Sequence, residues 1–187
     1  MVEKILSLDR KLFVYLNGLG SESFDGLWLM ITKQTSWIPL FIVILYIIFK
    51  KIGAKQTLIL LLFVALLVTF TDQVANLFKN GFQRLRPCSE PDLKNSIRIV
   101  KSSATFSFVS GHATNSMGIT TLLYLIFKNH FKYFGFLFLW PLIFAYSRIY
   151  LGLHYPLDII GGYILGWVSG FMMFKIYQAA QIKYFPQ

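Results

Sequence analysis

The chain has 187 residues, 56% of them hydrophobic and 18% aromatic, with a formal net charge of +10. Only 14% are charged, against ~25% in soluble proteins, and the long apolar runs exclude a soluble globular domain in favour of an integral membrane protein. Lys and Arg collect in the short connections between those runs, and no basic helix or aromatic platform accompanies them, so no nucleic-acid partner is expected.

Ile5, Leu8, Leu12, Phe13 and Leu16 place an apolar face along residues 2–16, with Lys4, Arg10 and Lys11 on the other faces. This spacing predicts an amphipathic helix lying in the membrane interface. The segment lacks the apolar core and cleavage site of a signal peptide. Phe24 to Thr32 is apolar but too short to cross unaided; it reads as a helix folded against the bundle or as part of a sixth span. Residues 1–34 thus form an interfacial N-terminal region of a single domain covering 1–187.

The first clear span runs from Trp37 to Phe49 and is closed by Lys50, Lys51 and Lys55. The next, Thr57 to Phe78, would rise about 33 Å as a helix, enough to cross a bilayer. Residues 79–111 form a long polar connection with Pro87 and Pro91, of the kind that carries function. Three more spans follow, Thr114 to Phe127, Phe131 to Tyr150 with Pro141 as a potential kink, and Leu157 to Tyr177. The expected fold is all-α, a polytopic membrane bundle of five or six transmembrane helices plus the amphipathic helix. Gly162, Gly166 and Gly170 recur every four residues, a pattern that admits close helix packing inside the bundle or at a dimer seam. The oligomeric state stays open.

Polar groups are costly beside lipid and mark function. Three patches concentrate them: Lys79 to Pro87, Val109 to His112, and Ser147 to Asp158. The lysines at 50, 51, 55, 128, 132, 175 and 183 fall in alternate connections, which the positive-inside rule makes cytoplasmic. All three patches then lie on the periplasmic or exterior face of the inner (cytoplasmic) membrane.

Lys79, Arg86 and Arg148 stand at ends of spans, where each alone could reach for lipid headgroups; together beside two histidines they suit phosphate oxygens. Ser110, Gly111 and His112 precede a span, and the free N–H groups of a helix N-terminus bind anions. Ser110 or Thr114 could equally be a plain cap. His154 and Asp158, four residues apart, would share a face if helical, the carboxylate fixing one ring nitrogen and freeing the other as nucleophile or base; the bland alternative is a pair capping the last span. Asp72 and Asn76 share a helical face with Lys79, and Asp72 is expected inside the bundle in a structural role. The cations argue against a metal site, and Cys88, the only cysteine, offers neither disulfide nor cluster.

Lys79 with Arg86-Pro87, then Ser110-Gly111-His112, then Ser147-Arg148 with His154 and Asp158 resemble, in order and spacing, the signature of the type 2 phosphatidic acid phosphatase family, which includes vanadium haloperoxidases. Val109 stands where that family usually has proline. The resemblance implies a metal-free and cofactor-free lipid phosphatase: His154 as nucleophile carrying a phosphohistidine, Asp158 orienting it, His112 as acid. Lys79, Arg86, Arg148, Ser110 and Gly111 would hold the phosphate. The implied substrate is a phosphorylated membrane lipid, first undecaprenyl diphosphate, with phosphatidylglycerophosphate, phosphatidic acid and lipid A 1-phosphate as competitors. Phosphotransfer to another lipid and non-catalytic binding or transport are the alternative activities.

Overall fold

The computed structural model describes residues 2–184, and among these it contains helices and no strand. Six α-helices follow in order: α1 (Val2–Gly18), α2 (Asp25–Ile31), α3 (Ile38–Phe82), α4 (Gly111–Phe127), α5 (Leu139–Tyr150) and α6 (Pro156–Tyr184). α3 is two helices in one, broken at Gly53, whose φ of 74° and ψ of 173° are open only to glycine at low cost. The lysine-rich connection expected there is therefore a one-residue break flanked by Lys50, Lys51 and Lys55. Its two arms are the first two spans. α4 and α6 are two more, and α6 alone rises about 43 Å.

The remaining span differs from expectation in detail. Its first part, Phe134–Phe138, is a 3-10 turn, and the α-helix begins only at Leu139. Pro141 thus falls in the first turn of α5, where its missing N–H has no helical partner to lose, and it terminates irregular chain instead of kinking a helix. No sixth span forms in the N-terminal region: α2 has seven residues, and Trp28 packs its ring at 5.1 Å from both Tyr146 and Tyr150 of α5. It is a short helix folded against the bundle.

The tightest seam joins α4 to α6. A Cβ on Gly162 would sit 2.7 Å from the Ser110 carbonyl oxygen, and one on Gly170 would sit 2.5 Å from that of Gly118. The small-residue stripe therefore serves packing inside the bundle. Around this seam the second arm of α3 and α5 end where α4 and α6 begin, so all three polar patches meet at one end of the bundle. The lysine-bearing ends of the spans lie at the other. Large apolar side chains such as Ile42, Leu58, Leu62, Ile164 and Ile176 stay exposed around the waist, as lipid contact requires.

Candidate active site

The last turn of α3 carries Lys79, and the helix stops when Gln83 turns left-handed, its N–H donating to the Lys79 carbonyl at 2.9 Å. The long connection thus keeps its first four residues in α3, then passes through short turns at Pro87–Ser89 and Pro91–Leu93. Arg86 follows as a buried guanidinium with all three nitrogens bonded. Its Nε donates to the Thr105 carbonyl (2.7 Å), Nη2 to Thr105 Oγ1 (2.8 Å), and Nη1 to the Leu153 carbonyl (3.0 Å) and to His154 Nε2 (2.9 Å).

That last bond assigns the histidine. A guanidinium can only donate, so His154 Nε2 must present its lone pair, and the ring proton sits on Nδ1. Nδ1 lies 3.4 Å from Asp158 Oδ2, long for a hydrogen bond. His154 is fully enclosed, and burial, followed by the charges of Arg86, Arg148 and Lys79, holds its pKa well below the usual 6.5. The imidazole is neutral, with its lone-pair nitrogen Nε2 fixed toward a cluster of cations.

His154 and Asp158 do not share a helical face. α6 begins at Pro156, and His154 belongs to the preceding turn. Asp158 instead reaches back over the helix start: Oδ2 accepts the Tyr155 N–H at 2.8 Å while the Asp158 N–H donates to the Tyr155 carbonyl at 3.1 Å. This reciprocal cap places the carboxylate beside His154. The carboxylate that caps the start of α6 is thus also the one beside His154 Nδ1.

Two residues outside the motif complete this arrangement. Arg84 donates to Asp158 Oδ1 at 2.7 Å and to Asp9 Oδ2 at 2.6 Å, and the other Asp9 oxygen accepts the Leu157 N–H of α6 at 2.9 Å. Both carboxylates are essentially sealed from solvent. Burial pushes Asp9 above the usual carboxylate range, against the pull of Arg84. α1 is therefore pinned to the start of α6 by Asp9. The apolar periodicity of α1 foretold the helix but gave no hint of Asp9; a lone acid among basic neighbours was the only available signal.

The start of α6 is consumed by these carboxylates, but the start of α4 is not. Ser110 occupies the N-cap of α4 without bonding its first turn, and its buried Oγ has no partner among the described residues. Thr114 Oγ1 bonds back to the Ser110 carbonyl at 3.0 Å, so neither hydroxyl is the expected cap. The first-turn N–H groups keep their anion-binding capacity. Lys79 Nζ approaches this terminus, 3.8 Å from where a Gly111 Cβ would lie. On its other side His112 stacks on Phe144 at 4.7 Å, and its Nε2–H points at the Thr32 carbonyl at 3.3 Å. Arg148 Nη1 donates to Thr32 Oγ1 at 2.7 Å, while its Nε finds no acceptor. Thr32, just beyond α2, was not marked by sequence and has no motif to mark it.

The structure brings together all eight residues picked from sequence: Lys79, Arg86, Ser110, Gly111, His112, Arg148, His154 and Asp158. Among the described residues, none of Lys79, Arg86 and Arg148 forms an ion pair with a carboxylate; Arg84 takes both nearby acids. Three neighbouring cations, none with a carboxylate partner of its own, are an arrangement suited to an anion. Asp72 is corrected: it is exposed, not interior, and accepts from Asn115 Nδ2 at 2.8 Å.

This arrangement has close parallels. The profile of the PAP2 superfamily matches residues 56–182. The lipid A 4′-phosphatase of Bacteroides thetaiotaomicron is 34% identical over 180 residues, covering 94% of this chain and 80% of that protein. The lipid A 4′-phosphatase of Porphyromonas gingivalis is 32% identical, covering 98% and 78%. The undecaprenyl-diphosphatase of Sulfolobus acidocaldarius is 28% identical, covering 99% and 86%. The crystal structure of a transmembrane PAP2-type phosphatidylglycerolphosphate phosphatase from Bacillus subtilis superposes with a TM-score of 0.72 at 20% identity, covering 98% of this chain and 90% of that one. The chain, a polytopic membrane phosphatase, belongs to the PAP2 superfamily.

Proposed function

We propose that this phosphatase hydrolyses the phosphomonoester of a lipid A-type glycolipid in two steps through His154. The observation that carries the chemistry is the neutral His154 facing Lys79, Arg86 and Arg148, none of them paired with a carboxylate. In the first step Nε2 attacks phosphorus, the P–N bond forms and the P–O bond to the lipid breaks. His112, doubly protonated once the anionic phosphate is bound, gives one proton to the departing oxygen and is left neutral. In the second, water attacks phosphorus, His112 takes back a proton, and the P–N bond breaks to release inorganic phosphate. Splitting one displacement into two is what a histidine nucleophile offers. Arg86, Arg148, Lys79 and the α4 N-terminus stabilise charge on the phosphoryl oxygens throughout. Asp158, 3.4 Å from His154 Nδ1, balances the imidazolium character that develops.

The two lipid A 4′-phosphatases favour a glycolipid phosphate. The undecaprenyl-diphosphatase relative keeps undecaprenyl diphosphate as the second reading. The site faces the periplasm or exterior, since the lysine-rich ends of the spans lie opposite it. Phosphate release in detergent from a lipid panel, by wild type and His154→Ala, tests the mechanism. Wild type is expected to release phosphate with an acid-labile phosphoenzyme intermediate. Turnover by a folded His154→Ala protein would remove the nucleophile assignment.

A further inference from the structure

His112 sits at the first turn of α4, and Asn115 and Ser116 follow it at three and four residues, on the same helical face one turn deeper. The Ser116 hydroxyl donates to the His112 carbonyl at 2.6 Å. Phe144, which stacks on the His112 ring, also walls a cavity of about 190 Å³ beneath it. Two further walls are Trp37 and Trp140, whose rings lie 6.2 Å apart. Val68 adds an apolar side chain to these walls, and Gln34, Asn115 and Ser116 supply the polar groups.

Asn115 is held from both sides. Its Oδ1 accepts from Thr71 Oγ1 at 2.7 Å and its Nδ2 donates to Asp72 Oδ1 at 2.8 Å. An amide offers two donors and two lone pairs, so one of each remains for a ligand, in an orientation already set. Phe41 and Ile119 close the bottom of this cavity and also open a second one of about 220 Å³. The second is apolar, walled by Ile44, Ile48, Leu60, Val64 and Leu123 between the arms of α3 and α4.

We infer that the cavity under His112 is the leaving-group subsite, and that it takes a hydroxyl-bearing sugar ring whose acyl chain continues into the groove between the α3 arms. This rests on the proposed role of His112 as proton donor, which puts the departing oxygen against that ring and the rest of the alcohol below it. Aromatic faces beside fixed amides suit a ring with apolar C–H faces and equatorial hydroxyls. A bare polyprenyl chain would press Asn115 against hydrocarbon and leave its free amide donor and acceptor unpaired, a costly arrangement, and it would make no use of the exposed Gln34 amide at the cavity rim. Asn115 and Gln34 are thus specificity-determining residues for an acylated glycosyl phosphate over a polyprenyl diphosphate.

The test measures kcat/KM for two substrates in detergent, purified lipid A bearing a 4′-phosphate and undecaprenyl diphosphate, with wild type, Asn115→Leu and Gln34→Leu. Wild type is expected to favour the glycolipid, and each variant to lower the glycolipid-to-polyprenyl ratio by at least about tenfold, the loss when a site built for hydrogen bonds is left unpaired. Gln34 lies on a surface turn outside the packed spans, so its variant reports even if Asn115→Leu misfolds. An unaltered ratio in Gln34→Leu and in folded Asn115→Leu, or a wild-type preference for the polyprenyl substrate, would overturn the subsite while leaving the phosphatase reading intact. Phosphate release from neither substrate would instead overturn the proposed function itself.

Discussion

Replacing Arg84 with methionine keeps the apolar stem and deletes the charge that holds two sealed carboxylates. Arg84 itself retains 19% side-chain exposure, whereas Asp9 and Asp158 keep 1% and 0%. Removing one partner of a buried pair costs ~3–5 kcal/mol; the partial exposure of Arg84 puts Arg84→Met near ~3 kcal/mol. Asp9→Asn alone loses one charge-assisted bond, ~1.5–3 kcal/mol, and its amide oxygen can still accept the Leu157 N–H. Once Arg84 is gone, however, Asp9→Asn removes an uncompensated charge and should cost nothing or stabilise. The double-mutant cycle therefore predicts a coupling of ~2 kcal/mol. Thermal unfolding in detergent measures it, and phosphate release should track it: kcat about 10²-fold down in Arg84→Met, comparable to deleting an electrostatic contact in an active site, and partly recovered in the double variant. Additive costs, or an Arg84→Met enzyme with wild-type turnover, would refute the claim that Arg84 positions Asp158.

The low pKa of His154 carries a sign. The unfolded histidine titrates near 6.5 and the folded one well below it, so below pH 6.5 the unfolded state binds the extra proton. Stability should fall as pH drops from about 6.5, by up to ~1.4 kcal/mol per unit, and His154→Asn should flatten that limb in acid-unfolding curves. Arg86→Lys should lower kcat/KM by about 10²-fold despite retaining charge, because an ammonium cannot reproduce the fork that bonds Thr105, Leu153 and His154 together. Wild-type-like rates in that variant would show that charge alone suffices. Phosphate release should persist in EDTA and be inhibited by vanadate; loss of activity in EDTA, restored by a divalent ion, would contradict the metal-free scheme. Gly162→Ala should destabilise by at least ~1–3 kcal/mol, since its methyl would meet the Ser110 carbonyl at 2.7 Å.

Sequence alone marked the five spans and nominated eight motif residues, which the fold gathers at one end of the bundle, because both signals are local: apolar runs of membrane length, and polar motifs at fixed spacing. It misplaced what depends on neighbours. Asp72 was expected inside because an acid in an apolar run ought to hide, yet it is exposed and partnered by Asn115 from α4. His154 and Asp158 would have shared a face had their stretch been helical, but Pro156 at the first helical position starts α6 after His154, and Asp158 caps that start. Arg84 and Thr32 escaped notice because their partners lie 75 and 116 residues away in the chain. Only tertiary packing makes them part of the site.

The glycine seam has a consequence for how such an enzyme can change. It locks α4 and α6 at backbone contact, and the Ser110 N–H donates to the Asp158 carbonyl at 3.0 Å across the same seam. On the roles proposed for Ser110, Gly111 and His154, the phosphate cradle and the nucleophile therefore form a single rigid unit, in which a shift of either helix detunes both. The first arm of α3 is attached differently, through one glycine, and it supplies Phe41, Ile44 and Ile48 to the cavities. Under the proposed roles, one wall of the substrate cavities, Phe41, Ile44 and Ile48, thus hangs on a hinge outside that unit, while Asn115 stays within it. New lipid tails would be accommodated by resculpting the hinged wall without moving the atoms proposed to handle phosphorus.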